Sequence, residues 1–158
     1  MARFVAAAQA LAITLWVGAL WTTGLLVAPV LFQMLDDRTL AGTIAGRLFE
    51  ATAFIGLICG ACLLVIQLYG WRGRALRQHV AWLIIAMLAF ALIGQFGIAP
   101  ILADLRERAY PQQVMQSTLS GSFAAWHAVA GVLYLVQCLL GAVLVISNRG
   151  AGAGAKKD

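Results

Sequence analysis

Four apolar runs, each long enough to cross a bilayer, dominate this chain of 158 residues. They extend approximately over Phe4–Phe32, Ile44–Tyr69, Val80–Ala103 and Phe123–Ile146. A helix needs about 20 apolar residues to span the hydrocarbon core of a membrane. Membrane strands would instead alternate in polarity over about ten residues, and these runs do not alternate. We therefore predict an all-α integral membrane protein that folds as a bundle of four transmembrane helices.

The composition agrees with this class. Hydrophobic residues make up 63% of the chain and charged residues 11%, against roughly half and a quarter in soluble domains. The first run is too long for the apolar core of a signal peptide, so we expect it to remain as an anchor. We predict one membrane domain over residues 1–148, followed by a flexible cytoplasmic tail over residues 149–158 that is rich in glycine and alanine.

The positive charges predict the orientation. Seven of the 11 Lys and Arg residues fall on the side of the termini and the second connection: Arg3, Arg72, Arg74, Arg77, Arg149, Lys156 and Lys157. The other four are Arg38, Arg47, Arg106 and Arg108. Cytoplasmic loops carry the excess of Lys and Arg, so we place both termini in the cytoplasm and the protein in a bacterial inner membrane. The net charge of +5 is explained by topology, and we expect no nucleic-acid partner.

A faint internal repeat divides the chain into two helical hairpins. The first apolar run ends in APVLFQMLDDR and the third in APILADLRER. Two hairpins of the same orientation, related by an axis along the membrane normal, are a known arrangement in membrane proteins. The alternative is a chance similarity between alanine-, leucine- and proline-rich segments.

Pro29 and Pro100 lie at corresponding positions of this repeat, near the predicted outer ends of the first and third helices. Each proline removes the backbone donor for the carbonyl four residues earlier, at Leu25 and Phe96. A carbonyl left free in a membrane needs another partner or water. The two prolines therefore predict helix kinks that open a polar pocket, and an ordinary kink without a pocket is the alternative.

Ionisable side chains within membrane helices are rare and mark candidate functional sites. Arg47 and Glu50 are three residues apart in the second helix, so they can form an ion pair. Asp104 ends the third helix, and His127 lies about one turn into the fourth, beside Trp126. We expect these five side chains to line a ligand site at one depth, in the outer leaflet. A purely interfacial role is the alternative for each of them.

Histidines and cysteines do not form a recognisable metal or haem site. His79 and His127 belong to opposite ends of the third and fourth helices, so one haem could not bridge them within a subunit. Cys59 and Cys62 form a CxxC within an apolar helix, with Cys138 at similar depth. Soft thiolates suit copper(I), but cysteine also packs as a small hydrophobe. We assign no metal ligand and leave the cofactor open, including a haem held by a single histidine.

Small residues recur four apart along the second helix, at Gly42, Gly46, Gly56 and Gly60. This spacing allows helices to approach closely in a membrane. The second helix is therefore the predicted packing element, within the subunit, in a homo-oligomer or against another membrane protein.

Two stretches carry a family resemblance: LWVGALWTTGLLVAPVLFQMLDDRTLAGTIAGRLFE and FAAWHAVAGVLYLV. They resemble the bacterial membrane family numbered 4149 among domains of unknown function, which is similar to the eukaryotic transmembrane protein 205. The resemblance implies a four-helix membrane fold and no established activity. The positions that match the motifs of that family are Trp16, Gly18, Pro29, Arg47, Phe49 and His127.

Three functions remain open at this point. The first is a protein that binds, or helps to transport, a small anionic or metal ligand at the outer-leaflet pocket. The second is a non-catalytic structural or accessory subunit of a membrane complex. The third is a redox protein that carries haem or copper. Motifs for nucleotide binding, for hydrolase nucleophiles and for structural zinc do not occur in the sequence, so we expect a binding protein rather than an enzyme.

Overall fold

The structure, a computed structural model, describes residues 2–70, 79–109 and 117–154. The described chain forms four helices that are long and apolar enough to cross a membrane: Arg3–Met34, Arg38–Tyr69, His79–Ala109 and Ser120–Ser147. We call them spans 1 to 4. The predicted four-helix membrane fold is confirmed. The second connection (71–78), Tyr110 and Pro111 in the third connection, and Lys156 and Lys157 in the tail lie outside the described residues.

Spans 1 and 3 are each built from three segments. Span 1 contains α1 (Ala2–Trp21), a π-helical segment (Thr22–Val27) and α2 (Ala28–Met34). Span 2 is the single helix α3 (Arg38–Gly70). Span 3 contains α4 (His79–Leu92), a π-helical segment (Ile93–Ile98) and α5 (Ala99–Ala109). Span 4 belongs to α6 (Ser120–Gly154), which is helical as far as residue 154, within the predicted tail.

Large apolar side chains are exposed along all four spans. Leu11 is 70% exposed, Ile58 64%, Phe96 62% and Ile146 71%. A soluble protein does not expose apolar surface continuously over such lengths, whereas the acyl chains of a bilayer cover it without cost. The chain is therefore a multi-pass membrane protein.

The spans pack in a ring in the order of the sequence. Span 1 packs on span 2, span 2 on span 3, span 3 on span 4, and span 4 on span 1. This is the up-down-up-down arrangement that short connections favour. The half of the bundle that contains Pro29 and Pro100 is called the proline half below. The opposite half is called the terminal half below. It contains residue 2 and also residues 70 and 79, which flank the second connection.

A π-helical segment directly precedes the helical turn that contains each proline. At the end of each segment a backbone N–H bonds to the carbonyl five residues earlier: Ala28 to Thr23, and Ala99 to Gly94. Proline has no N–H and its ring crowds the preceding turn, so the regular bonding pattern is interrupted at both sites. Single π-helical turns inside α-helices are frequently found at functional sites. Their equivalent positions in spans 1 and 3 also support the internal repeat.

Spans 2 and 3 are longer at their proline ends than the apolar runs indicate. The Asp37 carboxylate caps α3, because its Oδ1 accepts the N–H groups of Thr39 and Leu40 at 2.8 and 3.2 Å, a typical N-cap pattern. At the other site, Arg108 Nε lies 2.9 Å from the Asp104 carboxylate and supports the last turn of α5. The segment DLRER, which extends beyond the third apolar run, is therefore helical.

The terminal half holds the closely packed core. Trp16 is completely buried there, together with Leu63, Ile84, Met87 and Leu144. The indole of Trp16 lies directly against Gly56, and a Cβ atom at Gly60 would lie 2.8 Å from Trp16 Cη2. Gly56 and Gly60 therefore make room for a tryptophan of span 1 within the same subunit.

The proline half is more open, because packing there is mainly within each hairpin. In the described residues, α2 packs on α3 and α5 packs on α6. Cross-connections between the hairpins lie near the middle of the bundle. There Trp21 Nε1 donates to the Cys138 carbonyl at 3.2 Å, and Tyr134 Oη donates to the Leu20 carbonyl at 2.7 Å. The hairpins are thus tied together at mid-height and separate beyond it.

Candidate functional site

A cavity of about 1100 Å³ occupies the space between the two hairpins in the proline half. All four spans contribute to its wall, over residues 20–32, 42–53, 90–106 and 127–137. Most of the lining side chains are apolar. The polar ones are Thr43, Arg47, Glu50, Thr52, Gln95, Arg106, His127, Tyr134 and Gln137. We call this space the hairpin cavity, and its size is that of a site for an organic ligand.

Arg106 is the central charge of the cavity. It projects from α5 in the second hairpin, and its guanidinium reaches α3 of the first. There the Cβ positions of Gly42 and Gly46 lie 3.8 and 3.6 Å from Nη2 and Nη1. The side chain is half-buried, whereas the other described arginines with a side-chain placement are exposed. The predicted small-residue surface at Gly42 and Gly46 therefore accommodates an arginine.

The described residues give Arg106 no carboxylate partner. The ion pairs among them are Arg47 with Glu50 and Arg108 with Asp104. Arg106 instead lies 5.3 Å from the centre of the Phe123 ring, a cation–π distance. The guanidinium is thus held in place by an aromatic ring and two glycines, and its fork of N–H donors suits a carboxylate or a phosphate.

His127 lies beside this arginine. Its ring is stacked on Phe123 with the ring centres 5.8 Å apart and the planes at 11°. Phe123 is buried and contacts both Arg106 and His127, so it positions the two groups relative to each other. His127 lines the hairpin cavity as predicted, and it has no hydrogen-bond partner within the described part of the chain.

Arg47 and Glu50 also line the cavity, and they form the predicted ion pair. Arg47 Nη1 lies 3.0 Å from Glu50 Oε2, with the two side chains 80% and 40% exposed. An exposed pair of this kind contributes little to stability. Arg47 is therefore already paired and exposed, whereas Arg106 is half-buried and has no carboxylate partner among the described residues.

Two predicted site residues lie apart from the cavity wall. Asp104 binds Arg108 on the exposed side of α5, and Trp126 is 39% exposed; neither belongs to the lining. Pro100 lines the cavity, whereas Pro29 does not, although its neighbour Ala28 does. Leu25 and Phe96 both belong to the wall. Their carbonyls are the ones that would receive an N–H from residues 29 and 100 in a regular α-helix, and proline has no N–H.

The polar groups near the middle of the bundle are already hydrogen-bonded within the protein. Tyr134 donates to the Leu20 carbonyl, and Gln137 Nε2 donates to the Met87 carbonyl at 3.4 Å. The hydroxyl of Thr52 lies 2.9 Å from that of Thr23. Gln95 is the exception, because the described residues offer its amide no partner.

Histidines and cysteines are spread over the whole bundle. His79 begins α4 at the terminal end, far along the bundle from His127. Cys59 and Cys138 are buried, Cys62 is exposed, and all three are free thiols. Cys59 and Cys138 belong to the apolar core, where they pack as small hydrophobes. No group of three His, Cys, Asp or Glu side chains that could hold a metal occurs within residues 2–70, 79–109 and 117–154.

Arg106 is the functional candidate that the sequence did not single out. It stands among alternating charges in DLRER, and such a segment is typical of an exposed connection. Two signals point to it in retrospect. Asp104 and Arg108 are four residues apart and can pair on one helix face, which leaves Arg106 on another face of the same helix. The glycines in GTIAG provide the space opposite it.

Comparison with known proteins gives a family and no relative of known activity. No curated protein and no solved structure matches the chain. The family model of a domain of unknown function, DUF4149, matches residues 11–111. That range includes Trp16, Pro29, Pro100, Arg47 and Arg106, and it ends before His127. The chain therefore belongs to the DUF4149 family of domains of unknown function.

Proposed function

We propose that this protein binds an anionic ligand in the hairpin cavity, and so stores it or helps to transport it, with Arg106 as the main contact. The supporting observation is a half-buried guanidinium that faces a large cavity and has no carboxylate partner in the described residues. Withdrawing a charged group from water without a partner costs free energy. An anionic ligand would supply the missing partner, through charge-assisted hydrogen bonds.

Of the two expected classes of ligand, an anion has more support than a metal ion. The cavity wall contributes one histidine and one acidic side chain, His127 and Glu50, and Glu50 is paired with Arg47. The described part of the chain contains no group of three His, Cys, Asp or Glu side chains that could hold a metal. It therefore gives haem or copper chemistry no support. The proposal therefore concerns a binding protein for an anion, not a redox enzyme.

We place the protein in the inner membrane of a bacterium, with both termini in the cytoplasm. The excess of Lys and Arg on the side of the termini and the second connection supports this orientation. The hairpin cavity would then lie in the outer leaflet, with Arg106 near the external surface. We also propose kinship with the eukaryotic transmembrane protein 205, on the two motif stretches quoted above.

An accessory subunit of a membrane complex is the second candidate, and homo-oligomerisation belongs with it. It was predicted from the small residues of span 2. Gly42 and Gly46 contact Arg106, while Gly56 and Gly60 contact Trp16, all within one chain. These glycines are therefore used inside the subunit, so they give a partner surface little support.

Native mass spectrometry of the protein purified from its own membranes in mild detergent tests the proposal. Arg106→Gln is compared with Arg108→Gln, a matched control on the same helix that removes an exposed arginine paired with Asp104. We expect an anionic molecule bound at one copy per chain in the wild type and in the Arg108 variant, and absent from the Arg106 variant. Equal occupancy in all three proteins would overturn the proposal, as would a wild type that carries no anion.

Arg106→Lys separates ligand binding from a purely structural bridge between the hairpins. Lysine keeps the charge but loses the planar fork of donors, so we expect partial occupancy. If Arg106 served only as a bridge, the glutamine variant would melt at a lower temperature and its ligand occupancy would still equal that of the wild type.

A further inference from the structure

The hairpin cavity is elongated along the membrane normal. On span 3 its wall runs from Phe90 to Arg106, and on span 4 from His127 to Gln137. At about 1.5 Å of rise per residue, these stretches cover roughly 24 Å and 15 Å of helix. A small inorganic anion would occupy only the end beside Arg106. The rest of the cavity requires a ligand with a long body.

The wall of that long part is mainly apolar. Its hydroxyl and amide groups at Thr52, Tyr134 and Gln137 are hydrogen-bonded to other groups of the protein. The amide of Gln95 has no hydrogen-bond partner among the described residues. A polar ligand body would lose its hydrogen bonds with water on entering, which costs free energy. An acyl chain would lose none.

The wall also continues onto the lipid-facing surface. Leu25, Phe96 and Leu135 line the cavity and are nevertheless 57%, 62% and 56% exposed. In a bilayer these exposed faces meet acyl chains. The cavity is therefore reached from the lipid phase, without passage through the closely packed terminal half.

From these three features we propose that the ligand is an anionic lipid, a deepening that rests on the proposed function. Its anionic head group would bind the guanidinium of Arg106, near His127. One acyl chain would lie along the apolar wall towards Tyr134. A free anion such as phosphate shares the head-group chemistry and lacks the chain, so the two sources can be separated by experiment.

Photo-crosslinking provides the test. The full-length protein is reconstituted in phosphatidylcholine nanodiscs that contain a trace of phosphatidic acid with a photoreactive diazirine on its acyl chain. We expect crosslinks on the cavity wall of spans 3 and 4, lost in competition with unlabelled phosphatidic acid and kept in the presence of inorganic phosphate. A phosphatidylcholine probe with the same diazirine should label the wall at least about tenfold less, since it lacks the net charge that favours Arg106.

Gly131→Leu fills the apolar part of the cavity and leaves Arg106 intact. Gly131 lines the cavity, and a Cβ atom there would meet nothing within 4 Å, so the substitution should not disturb folding. Gly18→Leu is the matched control, because Gly18 has the same free space and lies outside the cavity. We expect Gly131→Leu to reduce crosslinking by phosphatidic acid at least about fivefold, as a blocked apolar site should, and Gly18→Leu to leave it unchanged.

The outcomes distinguish a failure of the lipid proposal from a failure of the proposed anion-binding function. If inorganic phosphate displaces the probe as effectively as unlabelled phosphatidic acid does, or if Gly131→Leu labels like the wild type, the ligand is not a lipid, and binding of a free anion at Arg106 can still hold. If Arg106→Gln keeps full labelling by phosphatidic acid and full binding of phosphate, the lipid proposal and the proposed function both fail. In the wild-type protein alone, crosslinks that are spread evenly over the lipid-facing surface would also overturn the lipid proposal.

Discussion

Tyr134 joins three spans at the inner end of the hairpin cavity. Its hydroxyl donates to the Leu20 carbonyl of span 1 at 2.7 Å, and its ring lies directly against Gly24. The same ring packs edge-to-face on Phe49 of span 2, with the centres 4.9 Å apart. Because Leu20 lies two residues before the π-helical segment of span 1, this single side chain helps to hold the hairpins together where they begin to separate.

Tyr134→Phe should destabilise the protein through the loss of one hydrogen bond while the ring contacts remain. Interhelical hydrogen bonds in membranes contribute about 0.6 kcal/mol on average and up to about 1.7 kcal/mol, so we expect a loss within that range. Denaturant unfolding of the reconstituted protein measures it. Tyr69→Phe is the control, because Tyr69 is 85% exposed. An equal effect of the two substitutions would contradict the role of the Tyr134 hydroxyl.

Gly56→Ala tests the packing of Trp16 in the terminal half. A methyl group at residue 56 would overlap the indole, and Trp16 is fully buried and has no room to move. Overpacking of this kind costs about 1–3 kcal/mol, so the melting temperature should fall. Gly18→Ala meets empty space and should be neutral, or stabilising by up to about 1 kcal/mol through its better helix propensity. If Gly56→Ala melts no lower than Gly18→Ala, the packing is not as described.

At the level of the elements, the two π-helical segments give spans 1 and 3 a different geometry from spans 2 and 4. Each segment lies just before a proline, and both contribute side chains to the cavity wall. The interruption of the backbone bonding pattern therefore coincides with the place where the hairpins separate. We attribute the open proline half to these two segments.

Replacing Pro100 should make span 3 more regular. In Pro100→Ala the new backbone N–H can bond to the Phe96 carbonyl, which restores the pattern of an α-helix. Hydrogen exchange followed by mass spectrometry should show slower exchange over residues 93–98 and unchanged exchange over residues 79–92. Unchanged exchange over residues 93–98 would show that the proline does not maintain the π-helical segment.

The sequence predicted the number, order and approximate position of the elements, because apolar length alone identifies a membrane helix. It predicted the ion pair of Arg47 and Glu50 from their spacing. It could not show which face of each helix points inwards, because the spans are apolar on all sides. Arg106 was missed for a related reason. Its charged neighbours resemble a connection, and only the contacts of its side chain with two glycines of α3 and with Phe123 of α6 show that it is half-buried.

At the scale of the whole molecule, the bundle is closed at one end and open at the other. The terminal half contains the apolar core around Trp16, whereas the proline half contains the cavity and most of its polar groups. The distribution of Lys and Arg follows the same axis. An occupant of the cavity would therefore lie mainly in one leaflet of the membrane.

Reporter fusions test the orientation that decides which leaflet this is. We expect a fluorescent protein fused after residue 158 to fold and fluoresce, and alkaline phosphatase at the same point to be inactive, because the proposed orientation places the C-terminus in the cytoplasm. Alkaline phosphatase inserted in the connection at residues 35–37 should be active. The reverse pattern would place the hairpin cavity in the inner leaflet.

The most direct test of the central claim is an experimental structure of the protein purified from its native membranes, with density resolved in the hairpin cavity. We predict an elongated molecule whose anionic end lies within hydrogen-bond distance of the Arg106 guanidinium and whose apolar end reaches towards Tyr134. A cavity closed by its own side chains, or an Arg106 paired with a carboxylate of the same chain, would contradict the claim that the protein binds an anion there.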